Sequence, residues 1–279
     1  MRWSEKETYN QCPYKYKLTY IDKLQKIEQL ETSQHHLRWG QAIDEGLTRH
    51  FLGKPWSDIE TGFLEYYPKN LDEKDEAKTV EHGLQALKNY IQFYKAEDEK
   101  WDMVAIHPEG FVEEHDSILH PDAIRKLRIT GEIYGWDYKT TGKDTTGNYW
   151  KNFEISDQVS RYSSWIEKEY GQCSGFYIDS LSVKFLKRKN KYGDGPGFLS
   201  NFQRQVFNRS KDQIAYAWNS DSDWTTLKKF SIENNVWPKS LSSRCPWCEF
   251  YELCLSSSDE QIKEILYQTK KETVTHESV

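Results

Sequence analysis

No run of about 18 apolar residues occurs anywhere in the chain, and this lack excludes a membrane-spanning helix. The opening residues Met1-Arg2-Trp3-Ser4-Glu5-Lys6 lack the apolar segment of a secretory signal, so the expected location is the cytoplasm. Internal repeats and low-complexity blocks are missing, and no linker is long enough to force a domain split. Positive charge is not in excess either. With 38 basic and 44 acidic residues the net charge is −6, which argues against a surface coated throughout by polyanion. Nucleic acid held through a local basic stripe and bound divalent cations stays open. Cysteine is sparse, and its odd count of 5 in a reducing compartment disfavours a disulfide framework.

What the sequence does contain is 279 residues with 15% aromatics and 29% charged residues, enough to bury a sizeable core under a polar surface. Val80, Leu84, Leu87, Tyr90, Ile91 and Tyr94 recur at the helical period within residues 71–98. Shorter helices are predicted over 34–51 and 56–67, separated by Gly53-Lys54-Pro55. From Met103 onward the pattern shortens to β-prone pieces at 103–106, 111–112, 117–120 and 132–137. A helix over 153–170, strands over 175–185 and 198–207, and one or two helices over 210–234 follow. Between those last strands the chain carries five cations in the eight residues Lys184 to Lys191, with Lys187, Arg188 and Lys189 at its centre, a candidate contact for DNA. The expectation is a single domain over 1–279: a helical part to about residue 100, a sheet core over 101–210, and C-terminal helices with a cysteine cluster over 211–279.

Cys245-Pro246-Trp247-Cys248-Glu249-Phe250-Tyr251-Glu252-Leu253-Cys254 is a C-x2-C-x5-C loop that can aim three thiolates at one centre. A tetrahedral zinc and a cubane iron–sulfur cluster both take four ligands, and Cys12 in Gln11-Cys12-Pro13 is the candidate fourth. Cys173 stands alone and reads as a small apolar residue.

Asp137 and Lys139 lie two apart on a predicted strand and so project from one face, with Trp136 and Tyr138 on the other. If the segment 118–124 pairs with 132–139, Asp122 comes beside Asp137. Two carboxylates are hard oxygen ligands for Mg2+ or Mn2+, which lower the pKa of a bound water and neutralise phosphate, and an ammonium can position a nucleophile. Phosphodiester hydrolysis needs these parts.

Taken in order, Tyr9-x-x-Cys12-Pro13, Pro121-Asp122, Asp137-Tyr138-Lys139-Thr140, Gln158-x-x-x-Tyr162 and Cys245-x2-Cys248-x5-Cys254 resemble the PD-(D/E)XK nuclease superfamily, in its RecB/AddB-like branch with an iron–sulfur cluster. That branch includes CRISPR-associated adaptation exonucleases. The resemblance implies an α/β, restriction-endonuclease-like core, a central mixed sheet flanked by helices, with a C-terminus stapled by a 4Fe–4S cluster on Cys12, Cys245, Cys248 and Cys254. It implies metal ligands at Asp122, Asp137 and the Tyr138 carbonyl, Lys139 as the catalytic lysine, and Gln158 and Tyr162 beside the site. The branch also carries a glycine followed four residues later by a metal-ligating histidine, and in Gly40-Gln41-Ala42-Ile43-Asp44 that position holds Asp44, a carboxylate able to take the same cation. His35, His36 and His50 fall out of that register and read as surface residues, while Glu109 or Glu113 is a further candidate acid.

The implied activity is a Mg2+- or Mn2+-dependent deoxyribonuclease, an exonuclease more than an endonuclease, serving recombination, repair or phage DNA processing, with a helicase or recombination protein as possible partner. Two rival readings are a catalytically silent iron–sulfur DNA-binding module and a zinc-stapled interaction protein.

Overall fold

The structure is a computed structural model that describes residues 3–27, 34–68, 76–115, 117–189, 195–256 and 260–269. It divides into an inner unit of residues 35–220 and a terminal unit built from both ends of the chain, residues 1–34 and 221–279. In the terminal unit the chain opens with α1 (Trp3–Gln11) and α2 (Pro13–Tyr16), the latter capped by Cys12, whose sulfur accepts the Lys15 N–H. A π-helical turn (Lys17–Ile21) leads to β1 (Leu24–Lys26).

The inner unit begins with α3 (Gln34–Phe51), α4 (Trp56–Tyr66) and α5 (Val80–Asp98). Helix α3 buries Trp39, Ala42, Ile43 and Leu47, a stripe at helical spacing. Helix α5 starts where the Thr79 hydroxyl accepts the His82 N–H, so the predicted helix is shortened at its N-terminal end; residues 71–75 lie outside the described residues. Two glycines set the helix packing. A Cβ on Gly83 would collide with the Phe63 ring, and one on Gly40 would come 3.0 Å from the hydroxyl of Thr140.

Next come β2 (Trp101–Ile106), β3 (Gly110–Val112), β4 (Ser117–Leu119), β5 (Ala123–Leu127) and β6 (Ile133–Thr141), then α6 (Asn148–Glu154), α7 (Asp157–Tyr170), β7 (Gly175–Leu186) and β8 (Gly197–Phe207). Five of these strands form a mixed sheet in the order β2-β5-β6-β7-β8, antiparallel except for the parallel pair β6–β7. That parallel pair requires a crossover, which α6 and α7 supply. One sheet face, through Leu181, Val183 and Phe202, packs on α3, α4 and α5. The other, through Ile124, Ile133, Phe176 and Ile178, packs on α7. This is the expected mixed sheet flanked by helices.

Some boundaries move. The 118–124 segment is not one strand: β4 pairs with β3 as a separate ribbon, and the strand that meets β6 begins at Ala123. The helix expected over 153–170 is two helices broken at Ile155 and Ser156. His35 is buried rather than superficial, its ring against the Tyr67 hydroxyl.

A single long helix, α8 (Lys211–Asn234), begins in the inner unit and continues into the terminal one. After it the terminal unit adds a 3-10 turn (Cys245–Trp247), α9 (Tyr251–Leu255), α10 (Glu260–Leu266) and β9 (Tyr267–Thr269). Strand β9 pairs antiparallel with β1, joining the two ends of the chain. Leu18, Leu24, Phe250, Leu253 and Tyr267 form the core there, and a second cluster gathers Tyr9, Tyr16 and Trp224. A buried ion pair, Lys6 Nζ to Asp221 Oδ1 at 2.7 Å, ties α1 to α8.

Candidate active site

The register of β5 on β6 does the first positioning. Ala123 lies opposite Trp136, and just before it the Asp122 N–H donates to the Trp136 carbonyl at 3.0 Å. The Asp122 carboxylate in turn accepts the Tyr138 N–H at 2.6 Å, which fixes it at the strand end beside Asp137. Alternation along β6 sends Trp136 and Tyr138 toward Trp101 and Tyr177, and Asp137 and Lys139 to the other face. Lys139 Nζ is 2.5 Å from Asp137 Oδ2, and Asp137 is 3% exposed.

Helix α3 brings Asp44 to the same place. One ligand atom each from Asp44, His107 and Asp122 lies within 4.8 Å of the others, the sole such grouping of three among the described residues. Asp44 Oδ1 is buried without a hydrogen-bond partner, and Oδ2 is 3.5 Å from His107 Nε2. Burial pushes the Asp44 carboxyl above its ordinary value; nearby His107 opposes the shift, and Asp137 adds to it. Asp122 is pushed well up, first by burial and then by the charges of Asp137 and Asp44. Burial alone would discharge Lys139, but Asp137 and Asp122 outweigh it and hold the ammonium protonated beyond its usual range. A cluster of carboxylates that repel one another, with an unpartnered oxygen inside, is a site whose charge is incompletely balanced. Its hard oxygen donors and one imidazole fit a divalent cation.

Gln158 and Tyr162 share a face of α7, and Gln158 Nε2 donates to the Tyr162 hydroxyl at 3.2 Å. Burial and the Asp137 charge both raise the Tyr162 phenol, which places it by the site. Lys139 also lines an open hollow of about 800 Å3, together with Thr141, Lys143, Asn148, Tyr149 and Asn152. None of Asp44, Asp122 and Asp137 lines that hollow; solvent reaches the site from the other side, where Asp44 and Asp122 are half-buried and His107 is exposed. Glu109 and Glu113 are exposed outside the cation-sized group. Lys187 pairs with Glu76 at 3.1 Å, both exposed; Lys187 and Arg188 form the bend that follows β7, and Lys189 comes just after it.

His107 is the residue that sequence reasoning missed. It is remote from Asp44 in sequence, and what aims it is a backbone φ of +46°, which no pattern of apolar residues announces.

In the terminal unit Cys12, Cys245, Cys248 and Cys254 all line one cavity of about 560 Å3. Backbone N–H groups already point at two of the sulfurs, Lys15 at Cys12 (3.5 Å) and Ser242 at Cys245 (3.3 Å). No three of these sulfurs lie within 4.8 Å of one another. Four thiolates on a single zinc stand about 3.8 Å apart, given a Zn–S bond of about 2.3 Å. As placed, the four sulfurs line one cavity without gathering on a single ion. Cys173, in the inner unit, packs against the core that includes α7.

No curated protein matches the chain. Among solved structures it is similar to "Putative exonuclease" from Eubacterium rectale, with a TM-score of 0.49 and 13% identity over 88% of this chain and 86% of that one. The sequence profile of the PD-(D/E)XK nucleases matches residues 3–255, a span that takes in the acids of the sheet and all four cavity-lining cysteines, and the chain belongs to the PD-(D/E)XK nuclease superfamily.

Proposed function

We propose that the protein is a metal-dependent deoxyribonuclease of the RecB/AddB-like kind, acting from DNA ends. The observation that carries this reading is the meeting of Asp122, just before β5, with Asp137 and Lys139 on β6, beside Asp44 and the exposed His107. Asp122, Asp137, Asp44 and the Tyr138 carbonyl would hold Mg2+ or Mn2+, which when bound activates water and offsets phosphate charge. In the hydrolysis water adds to phosphorus, one P–O ester bond breaks, and the departing oxygen takes a proton. Lys139, kept protonated by its two acidic neighbours, orients the attacking water and faces the charge that grows on the phosphate. Gln158 and Tyr162 form the wall against which the strand is set.

The thiol-lined cavity supports a 4Fe–4S cluster on Cys12, Cys245, Cys248 and Cys254, with a structural role: it would bind residues from both ends of the chain. Lys187, Arg188 and Lys189 would follow the DNA backbone. A cytoplasmic setting, a helicase or recombination protein that supplies ends, and a role in repair, recombination or phage DNA processing complete the reading.

The test uses end-labelled single- and double-stranded DNA with Mn2+ or Mg2+, comparing wild type with Asp137→Ala. Cleavage by wild type alone is the expected result. Intact DNA in both reactions would leave the silent DNA-binding module as the better reading. For the thiols, anaerobically purified protein should be brown and carry iron and acid-labile sulfide. A colourless, zinc-containing preparation overturns the cluster.

A further inference from the structure

We infer that His107 is a nitrogen ligand of the divalent cation and that it tilts the site toward Mn2+ and away from Mg2+. The inference rests on the nuclease reading only in taking the cation site from it. Asp44 stands on α3, in a position where the resemblance implies a histidine, so the helix itself offers oxygen in place of nitrogen. The structure brings an imidazole to that oxygen from another element: His107 follows β2, and one of its ring nitrogens lies within 4.8 Å of ligand oxygens of both Asp44 and Asp122.

Two features show that the placement is held. The His107 backbone N–H donates to the Asp122 backbone carbonyl at 2.9 Å, so the residue that carries the imidazole is tied to the strand end that carries the acid. Its φ of +46° is unusual for a residue with a side chain, and here the next residue is Pro108; strain of this kind persists where the surroundings enforce it. Thr48, one turn beyond Asp44 on α3, lies 2.8 Å from Nε2 through its hydroxyl, a contact that the cation would replace at that nitrogen. Facing the imidazole are the Asp44 carboxylate, 3.5 Å away, and the Asp122 carboxylate.

Donor chemistry then decides the preference. Mg2+ is a hard ion that favours oxygen and keeps much of its water, whereas an imidazole nitrogen gains affinity along the first transition row, from Mn2+ upward. One nitrogen among carboxylates thus adds to Mn2+ binding and contributes little to Mg2+ binding.

The experiment needs no DNA. Mn2+ and Mg2+ affinities are measured by calorimetry on the full chain, and nitrogen coupling to bound Mn2+ by pulsed electron paramagnetic resonance, with a 15N-histidine sample to assign it. His107→Asn is the main variant, because asparagine tolerates a left-handed backbone better than most residues do, and its melting temperature checks the fold. The expected result is histidine nitrogen coupling in wild type that vanishes in His107→Asn. Mn2+ affinity should fall about 10- to 100-fold, the range seen when a metal site loses a supporting group, while Mg2+ affinity changes little. Adding Asp44→His to His107→Asn should restore both the coupling and the Mn2+ preference. Absent coupling in wild type, coupling that survives in His107→Asn, or equal losses for the two ions overturns the inference. Nitrogen-coupled Mn2+ in a protein that cuts no DNA would sink the nuclease reading and leave this inference standing. Cleavage without nitrogen coupling would do the reverse.

Discussion

The central strands carry two ionic clusters, one on each face of the sheet, and they differ in charge balance. On the face toward α5, Asp98 and Asp179 meet Arg125 and Arg204, with Arg204 2.9 Å from Asp98 and 2.7 Å from Asp179. The Arg125 guanidinium sits 4.1 Å from the Phe51 ring and 4.3 Å from the Trp136 ring. Two acids oppose two permanent cations there, and the aromatic walls close the space. On the opposite face Asp122 and Asp137, joined by Asp44 from α3, meet one ammonium, Lys139, and the His107 imidazole, with a hollow beside the lysine. A balanced buried network holds strands and helices together; an unbalanced one is poised for a missing positive charge. Nearly the same residue types hold structure on one side and, under the proposed function, serve chemistry on the other.

The sharpest way to break this contrast is to remove one acid from each face. Asp137→Ala should lower the cleavage rate by about 10³-fold or more, since a lost cation interaction withdraws several kcal/mol from the transition state, with little loss of fold stability. Asp179→Asn should do the opposite. Leaving Arg204 partly uncompensated in the interior should cost about 3–5 kcal/mol of stability by urea unfolding, while folded molecules cleave at a near-normal rate. Equal effects of the two substitutions on stability and on rate would erase the distinction.

A subtler effect follows from the raised carboxyls of Asp44 and Asp122. A carboxyl pushed up in the folded state binds its proton more tightly there than in the unfolded chain. Its stabilising contribution is present below the ordinary carboxylate range and lost as pH rises through the raised value. In EDTA at neutral pH, Asp122→Asn should therefore melt above wild type, because asparagine still accepts the Tyr138 N–H but carries no charge. The gap should narrow as pH falls. An Asp122→Asn protein that melts below wild type at neutral pH would mean that the site is balanced after all.

The smallest effect expected is on the basic arm. Replacing Lys187, Arg188 and Lys189 by alanine should weaken DNA binding at low salt and flatten its salt dependence, by about one unit of slope for each phosphate that is no longer neutralised. Lys187 already has Glu76 as a partner, so its share should be the least. Unchanged binding across salt concentrations would remove the arm from the DNA path.

Much of this was legible in the sequence because it depends on short-range geometry. Asp137 and Lys139 share a face through the two-residue strand period, and the buried residues of α5 follow its helical period. The pairing that brings Asp122 to Asp137 was foreseeable from the turn at Gly131, which adopts a φ of +75°. The division into two units was less visible, because β1 and β9 are three-residue strands that exist through pairing with each other rather than through their own patterning. His107 was invisible for a similar reason: a bulge between Met103 and Ala105 and a positive φ decide where β2 delivers it. The extra break before α7 turns on Ser156, whose extended backbone starts the second helix.

The terminal unit is discontinuous, with α1 and α2 made early and the C-x2-C-x5-C loop made after all of residues 35–220. On the ribosome Cys12 must wait for the whole inner unit to emerge before it can meet Cys245, Cys248 and Cys254. A group that needs all four sulfurs can be loaded only after the acids and the lysine have been made.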